Sequence, residues 1–184
     1  TFLFWHQTTT DPISLDTPVS LFFKSQEEMD VTITVRCEGK TKTLINQLHL
    51  TKNRTQLERV MLPEDLPNGT IQIETKNIIS QTARSIFLKI QRQDPPGSLF
   101  HAVRDTYGNP LPECSVNETT TNEWGYFFLP VRPTQLTVHK YGYETVTLPL
   151  TSEEAPEIRL PYLQTACLPN ESEVFISKDF TELI

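Results

Sequence analysis

The chain has 184 residues, with 16 Lys and Arg against 23 Asp and Glu, a formal net charge of −7. That balance excludes the basic footprint that nucleic-acid binding needs. No run approaches the roughly 18 apolar residues of a spanning helix, so no membrane span is expected. Fourteen prolines and 25 threonines favour strands and turns over helices, and the expected class is all-β.

Thr1 in place of an initiator Met reads as a processed chain or a piece of a longer one. Residues 1–12 form an apolar strand and a hinge. Phe2 and Phe4 fall on one side of such a strand, Leu3 and Trp5 on the other. A strand apolar on both faces wants cover on both. It either tucks into its own domain or adds to a neighbouring molecule's sheet. Pro12 holds Asp11 extended or in a turn.

From 13 to 91, short strands recur at roughly 8–12-residue intervals, the spacing of an immunoglobulin-like sandwich. Val19, Leu21 and Phe23 alternate in one strand. Val31, Ile33, Val35 and Cys37 alternate in the next, with Thr32, Thr34 and Arg36 outward. Glu38-Gly39-Lys40 is a hairpin turn, and Leu44, Leu48 and Leu50 give a looser strand. Leu57 to Leu62 follows, then a turn over 63–69, then Ile71 and Ile73, then Ile86, Leu88 and Ile90. Leu62-Pro63, Leu66-Pro67-Asn68-Gly69-Thr70, Ile71 and Ile73 resemble the strand–turn–strand of macroglobulin-like and related immunoglobulin-like modules. The Cys…Trp…Cys spacing of antibody domains is missing. Residues 92–97, with Pro95-Pro96-Gly97, are a short, stiff linker.

The stretch 98–162 is punctuated by turn residues: Gly108-Asn109-Pro110, then Asn122 and Gly125, then Pro133. Gly125 and Gly142 sit where a tight turn wants positive φ. Val103-Arg-Asp105, Gly108-Asn-Pro110-Leu111-Pro112, Val116, Thr121, Gly125-Tyr-Phe127-Phe-Leu129, Leu136-Thr-Val138 and Gly142-Tyr143 resemble, in that order, a carboxypeptidase regulatory-like domain. The likeness spans about 60 residues and implies the transthyretin-like (prealbumin-like) sandwich of about seven strands, a non-catalytic module. Departures are His101 where that pattern has Gly, Glu113-Cys114 where it has Gly-Ala, and Pro133-Thr134 where it has Pro-Gly. The expected architecture is two tandem sandwiches, immunoglobulin-like and transthyretin-like, followed by a tail over 163–184 with a possible extra strand at Val174 to Ile176.

Four Asn-x-Ser/Thr sequons stand at Asn53, Asn68, Asn117 and Asn170, against roughly 1 to 2 expected by chance in so Thr-rich a chain. They point to an extracellular, secreted or cell-surface glycoprotein. Three cysteines have no metal-type spacing, and Cys114–Cys167 is the preferred disulfide, with Cys37 a buried small hydrophobe. The four histidines lack the i, i+4 or HxH spacing of ligands, so no metal or other cofactor is expected. No Gly-x-Ser-x-Gly elbow, catalytic cysteine signature or phosphate-cradling glycine loop occurs. Trp124 with Tyr126 offers a sugar-stacking platform or, more simply, the cover of a hairpin turn.

Two functions fit this pattern. One is a structural subunit of an extracellular fibre or appendage, a head-to-tail homopolymer in which Phe2, Leu3, Phe4 and Trp5 insert into the next copy. Burying those four side chains would contribute on the order of 6–12 kcal/mol, at roughly 1.5–3 kcal/mol each, before association costs. The other is an adhesion or ligand-binding module of a larger glycoprotein, with other extracellular proteins or glycans as partners.

Overall fold

A computed structural model describes residues 1–8 and 10–164 of the chain. They are all-β, in several sheets. Backbone contacts divide the chain into two compact units, Thr1–Asp94 and a second that begins at Pro95.

The first unit holds β1 (Phe2–Gln7), β2 (Ile13–Ser14), β3 (Val19–Ser25), β4 (Met29–Cys37), β5 (Lys40–Leu50), β6 (Thr55–Val60), β7 (Gly69–Asn77) and β8 (Ala83–Gln91). One sheet has the order β1-β3-β6, the other β2-β8-β7-β4-β5. All pairs are antiparallel except β2 with β8. Alternation decides which side chains are inside. Val19, Leu21 and Phe23, then Val31, Ile33, Val35 and Cys37, then Ile71 and Ile73 are buried, while Thr32, Thr34 and Arg36 face outward. The Glu38–Gly39 turn has φ of 48° and 81°, the pair of positive values that a two-residue hairpin matched to strand twist requires. The looser pattern expected around Leu44 has a physical cause. The β4–β5 register shifts on either side of Ile33, which breaks the alternation.

Arg92 ties the end of this unit down. Its guanidinium donates to the carbonyls of Glu64 and Leu66 and to the carboxylate of Asp94, and its N–H donates to Asn68 Oδ1 at 2.6 Å. On the other side of the unit boundary, Ser98 donates to the Pro95 carbonyl and Arg132 N–H to that of Gly97.

The second unit holds β9 (Leu99–Asp105), β10 (Ser115–Val116), β11 (Thr119–Thr120), β12 (Tyr126–Leu129), β13 (Gln135–His139), β14 (Val146–Pro149) and β15 (Ile158–Leu160). Its sheets run β12-β9-β15 and β11-β10-β13-β14, with β15 parallel to β9. Leu99, Val103, Phe127, Ile158 and Leu160 from one sheet and Val116, Leu136 and Val138 from the other share one core cluster.

Asp105 organises the turn that follows β9. Only 2% exposed, it accepts from the N–H groups of Tyr107 and Asn109, from Asn109 Nδ2 and from the Tyr162 hydroxyl. Burial pushes its carboxyl up, but the hydrogen bonds from Asn109, Tyr162 and Tyr107 outweigh that and hold it below the usual carboxylate range. Trp124 is fully buried, which removes the sugar-stacking platform and leaves it covering its turn from inside.

Of the glycines, Gly125 has the least room for a side chain. Its φ is +80°, and a Cβ there would stand 2.9 Å from Leu111 N and 3.0 Å from Val103 O. Gly39 has nearly the same φ, +81°, with nothing within 4 Å. Gly39→Ala therefore costs about 1–2 kcal/mol for the left-handed conformation alone. Gly125→Ala costs more, because backbone must also move. Urea unfolding of the two variants checks the order, and equal losses would contradict it.

Candidate binding surface

β1 lies in its own sheet. It pairs antiparallel with β3 over six positions, Phe2↔Ser25 to Gln7↔Ser20. Phe2 is 2% exposed and Phe4 is partly buried, stacked on Phe23 at 5.1 Å between centroids. Arg84 covers the Phe2 ring, its guanidinium carbon 6.0 Å from the centroid. Leu3 and Trp5 point the other way and stay 61% and 39% exposed. The two-faced apolar pattern is thus covered on one face only.

The strand ends beside Phe2 form a cleft of about 350 Å³. Phe2 and Met29 supply its apolar wall, and Glu27 and Glu28 of the β3–β4 connection with Asp30 at the start of β4 its acidic rim. The opposite rim is the β7–β8 turn. Asn77 builds that turn: its Oδ1 accepts from the N–H groups of Ile79 and Ser80, and its N–H and carbonyl pair with Thr82 and Gln81. The turn holds Ile79 out at 91% exposure, with Ile78 beside it at 40%. An apolar side chain so displayed can receive a segment that offers an apolar residue.

His49, on β5, locks the acidic rim. Its Nδ1 lies 2.9 Å from Asp30 Oδ1 and its Nε2 2.8 Å from Glu28 Oε1. Both ring nitrogens can donate at once only as imidazolium. Hydrogen bonds to Asp30 and then Glu28 raise the His49 pKa above its ordinary 6.5. Glu28 is held below its usual range, first by the Lys52 N–H on its other oxygen and then by His49.

The sequon asparagines of the described residues, Asn53, Asn68 and Asn117, are all exposed, and Asn170 lies outside those residues. Asn53 sits in the turn before β6 with φ +57°. Asn68 Oδ1 is used by the Arg92 N–H, and Asn117 bonds Gln135 O and Thr137 N–H with its side-chain amide. Cys114 is fully buried in the core of the second unit, while Cys167 lies outside the described residues. Burial raises both described thiols, that of Cys37 to about 11 with help from the Glu38 charge, which makes each a poor nucleophile. Among the described residues, no cluster of His, Cys, Asp and Glu could hold a metal ion, and no helix is long and apolar enough to cross a membrane.

Sequence reasoning missed the cleft and the His49 clamp. Ile78-Ile79 inside the polar run Asn77 to Thr82 was the available signal, since two β-branched apolar residues at a turn tip have nothing to pack on. The clamp joins Glu28, Asp30 and His49 from separate stretches, and only strand register brings them together. No protein-family model, no curated protein and no solved structure matches the chain.

The clamp predicts a pH dependence. A raised folded-state pKa means that His49 adds stability fully below about pH 6.5 and loses it as pH climbs through the higher folded value. Glu28 works in the opposite sense, losing its contribution only as pH falls below the ordinary carboxylate range. The gap in urea midpoint between wild type and His49→Gln is therefore larger at about pH 5.5 than at about pH 8.5. A gap that is flat or reversed would contradict the clamp.

Proposed function

We propose that the chain is a non-catalytic adhesion or ligand-binding module of an extracellular glycoprotein, built from an immunoglobulin-like and a transthyretin-like sandwich joined by a short linker. The observation that carries this is the open end of the first unit, where Ile79 and the Glu27–Glu28–Asp30 rim flank the cleft. Its ligand is a protein segment with an apolar anchor that packs on Ile79. For the fold assignment, the support is the eight strands in sheets of three and five, then the seven in sheets of three and four. The latter equals the strand number that the carboxypeptidase regulatory-like resemblance implies. Exposed sequon asparagines support the extracellular setting.

A second reading is head-to-tail assembly through β1. What favours it is the edge position of that strand and the outward Leu3 and Trp5. The seat of Phe2 and Phe4 would then be filled by the preceding copy, as in a domain swap.

Light scattering separates the two. The binding-module reading gives a monomer mass at every concentration, and deletion of residues 1–7 lowers stability by at least the roughly 1.5–3 kcal/mol of one buried Phe side chain. Polymers that vanish on the same deletion would favour assembly instead. Peptide and glycan arrays then address the ligand. Ile79→Ser leaves stability within about 0.5 kcal/mol, as surface changes do, and abolishes capture. Capture that persists in this variant would place the binding surface elsewhere.

A further inference from the structure

The outer face of the β1–β3–β6 sheet is unlike the outer face of its partner sheet. Trp5, Phe22 and Leu57 stand directly opposite one another across all three strands. Trp5 and Phe22 stack at 5.5 Å with planes 9° apart. Trp5 is 39% and Leu57 44% exposed. Lys24 and Thr55, with Leu3 in the same row, flank this strip on one side, and Gln7, Ser20 and Arg59 on the other. The five-stranded sheet instead shows Thr32, Thr34, Gln72, Glu74, Ser85 and Lys89 outward, with Phe87 the large apolar side chain among them. Trp5, Phe22 and Leu57 thus present a contiguous apolar strip on which an apolar ligand face can pack.

The same sheet carries a sequon at one end. Asn53-Arg54-Thr55 runs from the exposed turn into β6, and Asn53 N–H donates to Ser25 O at the end of β3. Thr55 pairs with Lys24 on the outer face, one row from the strip. Asn53 is four residues from Leu57, roughly 13 Å of extended chain. A pyranose ring has an apolar C–H face and a hydroxyl rim, which matches an apolar strip between polar rows.

We infer that an N-linked glycan on Asn53 folds back over this face and packs its first sugars on Leu57, Phe22 and Trp5. The inference rests on the extracellular reading above. Attachment needs a lipid-linked oligosaccharide pyrophosphate. The Asn53 amide nitrogen forms a bond to the anomeric carbon, that carbon's bond to the pyrophosphate breaks, and the amide proton leaves with the departing pyrophosphate. The glycan then shields the strip.

The two tryptophans make the test direct, because Trp124 is fully buried and Trp5 is not. Quenching by acrylamide, a neutral agent, therefore reports Trp5. The full chain is secreted from a eukaryotic host, and site occupancy is read by mass spectrometry. The expected results are occupancy at Asn53 and at least a twofold rise in the quenching constant for Asn53→Gln, with none for Asn68→Gln. Trimming the glycan to its first sugar after folding gives a rise as well, which keeps the result independent of any folding defect in the variant. Occupancy at Asn53 with unchanged quenching overturns the packing and leaves the glycoprotein reading standing. Glycans on Asn68 or Asn117 but not Asn53 overturn the inference alone. No glycan at any sequon overturns the inference and the extracellular reading together. Protection of Trp5 that grows with protein concentration assigns the strip to a second copy and overturns it too.

Discussion

The pairing of β1 with β3 is the contact on which the first unit depends. It places Phe2 inside the sandwich under Arg84 and stacks Phe4 on Phe23. Remove it and the cleft loses its Phe2 wall, and the Trp5–Phe22–Leu57 strip loses its outer member. Burial of Phe2 contributes about 1.5–3 kcal/mol, a large fraction of the stability of a small domain. One strand thus sets both surfaces that the unit offers, the open end and the outer face. Nothing in the pairing requires a second molecule.

The two units solve the same problem with different local devices. The first fastens its ends with charge, through the Arg92 contacts to Glu64, Leu66 and Asp94 and the His49 clamp on Glu28 and Asp30. The second fastens its first turn with a buried carboxylate, Asp105, and packs a glycine, Gly125, where no Cβ fits. Each is a polar or steric constraint at a strand end, where sheet hydrogen bonds run out and backbone groups need other partners. The described thiols are buried and raised in pKa, and the carboxylates of Asp105 and Glu28 are held by donors of the fold itself.

Much of the framework was readable from sequence. Where a strand has one face in the core, alternation is strict, and Val19 to Phe23 and Val31 to Cys37 fall as expected. Turn chemistry was equally informative at Glu38–Gly39, Gly108–Pro110 and Gly125, because positive φ restricts the residue type. The end of β1 was not readable. A strand apolar on both faces carries no mark of which face is covered or by which molecule, and only one face is covered here. The two-residue strands β2, β10 and β11 are too short for any period. The cleft and its rim were the least legible part, since the carboxylates, the histidine and the isoleucines there are joined by register across three separate stretches.

Hydrogen exchange of the β1 amides in dilute, monomeric protein bears most directly on whether this strand belongs to its own sandwich. The account predicts that those β1 amides that bond to β3 are protected to the same degree as the neighbouring amides of β3, independent of concentration. Free exchange in the monomer, with protection gained only as the chain assembles, would contradict it.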